Sequence, residues 1–224
     1  AVSFLYFADR VTQLPLGVVG TAVGIALLPA LSRHLRAGRL AEGHAAQNRA
    51  LEVTLLLTQP EAAALMVIAG PVVDGLFRHG AFSASDAGNT AAALAAFAIG
   101  LPAFVLIKVL APGFFAREDT RTPVIIAGVA LVANVVLNLI LMGPFGHVGI
   151  ALATGLSAWI NAGSLAVLLL RREALRPDVR LKARFLRMLA ATAAMAVVLW
   201  ALREALAPWS AGGTLERVAV LAAL

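Results

Sequence analysis

Residues 122–170 read TPVIIAGVALVANVVLNLILMGPFGHVGIALATGLSAWINAGSLAVLLL, and no Asp, Glu, Lys or Arg occurs among them. The hydrocarbon core of a bilayer, about 30 Å thick, is crossed by roughly 20 apolar residues of helix. This stretch is long enough for two crossings, and Gly143-Pro144 and Gly146-His147 near its middle read as the turn between them. Shorter uncharged runs lie at Val11–Ser32, Ala87–Ile107 and Met188–Leu202, the last reaching span length once Phe185 and its neighbours are counted. Lipid offers the backbone no hydrogen bonds, so each crossing must be a helix or part of a closed barrel. No period-two alternation runs through these segments, which leaves the helix. The fold class is therefore all-α, a polytopic membrane helix bundle.

Composition agrees. The chain is 61% hydrophobic and 13% charged, whereas a soluble domain carries roughly 25% charged residues. The predicted spans are Leu5–Leu31, Leu51–Val73, Thr90–Ala116, Thr122–Met142, Val148–Leu170 and Phe185–Leu202, with a further helix starting at Arg217. The chain divides accordingly into a five-helix bundle over 1–170 and, over 171–224, a basic loop, one additional helix and the start of the next. With no initiator Met or signal-peptide pattern, and an end inside the apolar run Val218–Leu224, the chain reads as an internal piece of a longer protein.

The connections alternate in charge. One side holds Arg33, Arg36, Arg39 and Arg49, then Arg117 and Arg121, then Arg171, Arg172, Arg176, Arg180, Lys182, Arg184 and Arg187; the other holds only Arg78, Arg203 and Arg217. The positive-inside rule puts the richer side in the cytoplasm and Ala1 outside. The isoelectric point of about 11.2 is then orientation signal and headgroup contact with membrane lipids, not a nucleic-acid surface. With no cysteine, thiolate metal sites are excluded. His34, His44, His79 and His147 are scattered, and neither a phosphate-cradling loop nor a Ser/His/Asp set is present, so the reading is not an enzyme.

Ionisable residues inside spans usually face protein or water. Arg10, beside Asp9, lies near the outer end of the first span. It either snorkels to headgroups or presents a guanidinium to a central cavity, where it can bind phosphate through two donors at once. Lys108 divides in the same way between snorkelling and a cavity role. Glu61, next to Pro60, is nearer mid-span, where it is protonated, pairs with a cation such as Arg10 or Lys108, or lines water. Asn134 and Asn138 share one helical face, as do Thr154, Ser157 and Asn161 on the following helix. Facing oxygens of this kind suit a hard cation such as sodium or serve as interhelical hydrogen-bonding glue. Pro15, Gly17, Gly20 and Gly24, with Pro60, Pro102 and Pro112-Gly113, either loosen helices of a moving bundle or belong to ordinary packing between membrane helices.

Two stretches go beyond a generic bundle. YFADRVTQLPLGVVGTAVGIALLPALSRH, from Tyr6, closely resembles the second-lobe segment of the MurJ/MviN lipid II flippases, and KVLAPGFFAREDTRTP, from Lys108, resembles that family's signature after its next-but-one helix. GPFGHVGIALATGL and the basic loop after Leu170 fit in order and spacing. The resemblance covers essentially the whole chain. It implies membership of the multidrug/oligosaccharidyl-lipid/polysaccharide exporter superfamily, with 14 helices in two six-helix lobes and two extra helices. This chain would be helices eight to thirteen and the start of fourteen: the second lobe, one extra helix and the beginning of another.

The resemblance further implies a flippase that moves the undecaprenyl-pyrophosphate-linked peptidoglycan precursor across the bacterial cytoplasmic membrane by alternating access, together with the N-terminal lobe of the same protein. Arg10 matches the family's cavity arginine and Asp9 its acidic neighbour; Lys108 and Glu61 are weaker substrate-facing candidates, Glu61 having no counterpart. For a sodium site, Asn134, Asn138, the Ile150 carbonyl and Thr154 fall at the matching positions, although Asn138 stands where sodium-binding members carry an acid. Competing readings are a flippase for another lipid-linked glycan, a drug/cation antiporter, or a non-transporting membrane scaffold. A pyrophosphate cargo requires cavity arginines, a cationic drug requires carboxylates, and a scaffold would be marked by fused cytoplasmic domains.

Overall fold

A computed structural model describes residues 2–15, 17, 20–78, 82–210, 221 and 224. Its helices are α1 (Val2–Pro15), α2 (Thr21–Arg36), α3 (Leu40–Phe77), α4 (Ala84–Phe115), α5 (Arg121–Arg171) and α6 (Val179–Ser210), and no strand occurs among the described residues. Within the span expected over Leu5–Leu31 the described helices are α1 and α2; residues 16, 18 and 19 between them lie outside the described residues. The helix expected to start at Arg217 lies outside the described residues.

α5 contains both crossings of the uncharged stretch. Its helical geometry breaks at Gly146 (φ 56°, ψ −129°), a conformation an L side chain resists. Asn134 and Ser157, nearly equidistant from that break, are hydrogen-bonded at 3.1 Å. The two arms therefore run antiparallel, as the turn reading requires.

α4 is the central helix and packs against α1, α2, α3 and α5. Its sequence explains the position, because Ala and Gly dominate the run from Ala91 to Ala103 and small residues let backbones approach. At the crossing with the second arm of α5, a Cβ on Gly100 would fall 2.5 Å from the Gly155 Cα. The first arm of α5 is the opposite case: Leu139, Leu131 and Val124 are 71%, 66% and 69% exposed. An apolar face of that size is untenable in water and ordinary against lipid or another helix bundle. Four helices, α3 to α6, are each long and apolar enough to cross a membrane; the chain is a multi-pass membrane protein.

Helix ends follow local chemistry. Ser83 and Asp86 form a reciprocal capping box that starts α4. The Asp178 carboxylate accepts the Leu181 amide at 2.6 Å, capping α6 at Val179. That cap converts much of the basic loop expected over Arg171–Arg187 into helix, so Arg180, Lys182, Arg184 and Arg187 lie on α6. α3 bends at Ile68 (φ −106°, ψ 20°). Pro71 has no amide to offer the Val67 carbonyl, and Arg203 Nη1 of α6 donates to that carbonyl instead, at 3.1 Å.

The two ends of the bundle are distinct. At one, Phe7 packs against Phe77 and Phe82, while His147 contacts the Phe4 ring and the Asn89 carbonyl. At the other, Asn48 donates to the Arg176 carbonyl and Arg117 to the Ala174 carbonyl. All three basic connections therefore meet at one end, in agreement with their assignment to a single side of the membrane.

Candidate functional site

The α1 residues come first. Arg10 is exposed; its Nη2 donates to the Tyr6 hydroxyl at 3.0 Å and its guanidinium lies 4.9 Å from the Tyr6 ring centroid. Tyr6 is one turn earlier on the same face, and it orients Arg10 through a hydrogen bond and a cation–π contact without neutralising its charge. Asp9 does not pair with Arg10. Adjacent helical residues point about 100° apart, and the Asp9 carboxylate instead accepts from Gln13, one turn on. Asp9 faces a small cavity of about 180 Å³ with Thr12, Gln13, Phe97, Leu101, Phe104 and Thr154. The neighbouring residues thus serve two faces: Arg10 the open one, Asp9 the contact with α4 and α5.

Lys108 lies one turn beyond Phe104 toward the basic end, and its stem rests where a Cβ on Gly20 would be, 2.8 Å from Lys108 Cδ. Glu61 is half-buried on α3, and the contacts described for Arg10 are with Tyr6, not with it. The contacts described for Arg10 therefore include neither Asp9 nor Glu61, and the structure does not bring the guanidinium together with either acid.

The quieter polar set does converge. Asn138 Nδ2 donates to Asn134 Oδ1 at 3.0 Å, Asn134 Nδ2 to Ser157 Oγ at 3.1 Å, Ser157 Oγ to the Thr154 carbonyl at 2.9 Å, and Thr154 Oγ1 to the Ile150 carbonyl at 2.9 Å. The four proposed ligands form one relay across the two arms of α5, with Ser157 as the bridge. Asn138 Oδ1 is buried and has no hydrogen-bond partner among the described residues. The other oxygens are engaged but keep lone pairs, so the set fits a hard cation's preference for oxygen, without a formal negative charge.

Sequence reasoning missed two constellations at the basic end. Glu52 of α3, 5% exposed, accepts from Arg184, lies 2.9 Å from Arg49 and 3.7 Å from Arg180, and so ties α6 to α3. The available signal was a lone acid three residues after Arg49 at the edge of a span. The second is centred on Asp119, which accepts the Thr122 amide at 2.9 Å and hydroxyl at 2.7 Å and an Arg172 guanidinium nitrogen at 2.6 Å. These donors hold its pKa down to about 2, Thr122 contributing most. Between α6 and the bundle lies an apolar cavity of about 510 Å³, lined by residues such as Leu55, Met66, Pro102, Trp159 and Phe185.

Comparison with known proteins places this geometry. The family model described as Lipid II flippase MurJ matches residues 1–220. The chain belongs to the MurJ family. Among its relatives, probable lipid II flippases MurJ of Rhizobium meliloti (strain 1021) and Rhizobium tropici are 49% and 44% identical over 200 and 199 residues, 89% of this chain and 37% of each relative. The lipid II flippase MurJ of Burkholderia cenocepacia is 38% identical over 80% of this chain and 34% of its own length. A solved structure, Lipid II flippase MurJ in an inward closed conformation, superposes with a TM-score of 0.75 at 25% identity, covering 91% of this chain and 41% of that one. The chain thus spans little more than a third of the length of these curated MurJ relatives. Within this MurJ-family chain, the stretch KVLAPGFFAREDTRTP supplies Gly113, Arg117, Asp119 and Thr122, the residues that lock the α4–α5 connection to the end of α5.

Proposed function

We propose that this chain is the second-lobe part of a flippase that carries an undecaprenyl-pyrophosphate-linked peptidoglycan precursor, lipid II, from the inner to the outer leaflet of the bacterial cytoplasmic membrane by alternating access. It is a transporter part, not an enzyme, and it works with an N-terminal lobe. The observation that carries the reading, beside family membership, is Arg10: an exposed guanidinium on an apolar helix, steadied by Tyr6. A pyrophosphate is matched by such a planar donor fork, whereas a cationic drug would be repelled. Residues 1–170 form the moving lobe and α6 an added helix beside it. Full-length protein containing this chain is expected to restore growth to cells depleted of their own flippase and to bring labelled precursor to the outer leaflet. Growth restored without precursor appearing there would favour another lipid-linked glycan.

The proposed orientation places the basic end in the cytoplasm, on the basis of the charge split. Ser85 is exposed at one end and Ala183 at the other; Ala174 is buried and unsuited to labelling. In a cysteine-free full-length protein, Ser85→Cys is expected to react with an impermeant thiol reagent in intact cells, and Ala183→Cys only after permeabilisation. The reverse pattern would invert the topology.

Sodium is the ion proposed for Asn134, Asn138, Ile150 and Thr154, supported by their place along one hydrogen-bonded relay and by the unpartnered Asn138 Oδ1. With no carboxylate in the set, affinity is low. Calorimetric titration of the full-length protein with sodium is expected to show weak binding that Asn134→Ala removes; equal binding by both proteins would take Asn134 out of the site.

A further inference from the structure

A second polar cavity, of about 550 Å³, opens at the basic end of the bundle, apart from every residue assigned to the cargo. Its charged lining is Arg117, Arg172, Arg176 and Glu173, with His44 beside them on α3. Three guanidiniums and one carboxylate therefore line it, and with Asp119 paired to Arg172 from outside the cavity the balance is still positive by one charge. Each guanidinium is already oriented by the protein. Arg117 donates to the Gly113 and Ala174 carbonyls at 2.6 and 3.0 Å. Arg172 is held by Asp119 and by the Thr122 hydroxyl, with its plane 5.6 Å from the Phe114 ring centroid. Arg176 pairs with Glu173. A guanidinium has five N–H donors, so these contacts leave donors over while removing much of the entropy cost of ordering the side chain.

The depth of the cavity is set by the chain. Arg117 follows the last residue of α4 by two positions and Arg172 follows the last residue of α5 directly, so the cavity sits where membrane-crossing helices end, at headgroup level. Basic cavities between helices at this depth suit phosphate-bearing headgroups. We propose that this cavity binds a phosphate group, that of an anionic phospholipid of the leaflet on the basic side, and so fastens the α4–α5 and α5–α6 connections to the membrane surface. Which leaflet this is rests on the orientation proposed above; the binding itself does not.

The test is a titration of full-length protein, in neutral detergent at about 0.15 M salt, where charges more than roughly 8 Å apart are screened. The probes are phosphatidylglycerol, phosphatidylcholine and inorganic phosphate. Phosphatidylglycerol is expected to bind in preference to phosphatidylcholine. Arg176→Gln, an exposed position whose replacement leaves the fold intact, is expected to weaken that binding about tenfold, the worth of one charge-assisted hydrogen bond. Glu173→Gln removes the competing carboxylate and is expected to tighten binding severalfold. Arg36→Gln, an exposed arginine on the same side that does not line the cavity, is expected to change it less than about twofold. Displacement of phosphatidylglycerol by millimolar phosphate would assign the site to free phosphate, and persistence to the lipid headgroup, with the same chemistry in either case. Binding unaffected by Arg176→Gln and Glu173→Gln, or weakened as much by Arg36→Gln, would overturn the site. Because the readout needs no transport, its failure is separable from failure of the flippase reading.

Discussion

Arg10→Ala is expected to abolish complementation in cells that depend on the full-length protein, with the amount of protein in the membrane unchanged. The second half of that statement follows from the local structure. Arg10 is exposed and its described contacts are with Tyr6 on its own helix, so its removal opens no cavity and strands no buried partner. The first half follows from the chemistry proposed for the cargo. A pyrophosphate presents several oxygens, and a guanidinium can meet two of them at once. Arg10→Lys keeps the charge and loses the fork, and a severe defect is expected there too. Arg10 lies one turn inside the aromatic end of the bundle, where Phe7 meets Phe77 and Phe82. On the proposed route, cargo rising from the basic end would reach it last, and neutralising its charge there would bias the lobe toward closing behind the cargo. Tyr6→Phe separates orientation from charge: it removes the hydroxyl that accepts from Arg10 and is expected to lower transport partially. Normal growth of cells relying on Arg10→Ala protein would sink the cargo role and return Arg10 to the snorkelling explanation.

Gly100→Leu is expected to be as damaging by an unrelated route, through loss of folded protein. α4 and the second arm of α5 touch backbone to backbone at Gly100 and Gly155, where even a single added Cβ would lie 2.5 Å from the opposing Cα and 3.0 Å from the Phe104 ring. A flexible side chain could move aside; a packed helix backbone cannot. Overpacking a core costs typically 1–3 kcal/mol where side chains absorb it, and here the helices themselves must separate, so the expected cost is about 3 kcal/mol or more. Measured as the thermal midpoint of purified protein and as its amount in the membrane, Gly100→Leu should fall well below Gly128→Leu. Gly128 is exposed on the first arm of α5, with nothing within 4 Å of an added Cβ. Equal behaviour of the two variants would mean that the α4–α5 crossing is not a tight backbone contact.

Much of this architecture was legible in the linear sequence because a bilayer imposes a one-dimensional test. Each crossing needs about 20 apolar residues and must satisfy its own backbone. So the uncharged run over 122–170 already implied two helices and a turn within Gly143–His147, which the structure puts at Gly146, and the spacing of arginines already sorted the connections onto two sides. Other features existed only after assembly. Hydropathy sets how deep a residue lies, but says little about which way it faces around its helix axis, since lipid accepts any apolar face. Hence adjacent Asp9 and Arg10 could be read as a pair, while the helix turns them to different faces. Hence also Asn134 and Asn138 were legible as neighbours on one face, but Ser157, which links them to Thr154, was fixed by the pairing of the α5 arms. Glu52 is the clearest instance: its partners Arg180 and Arg184 lie far along the chain, on a helix whose start depends on the Asp178 cap. Nothing local marks that buried carboxylate as the tie between α3 and α6. The sequence by itself determined the long apolar segments of α3 to α6 and that the basic connections share one end, because both depend on the solvent. Which residues meet across helices was decided by rotation and close approach, and those are properties of the packed bundle alone.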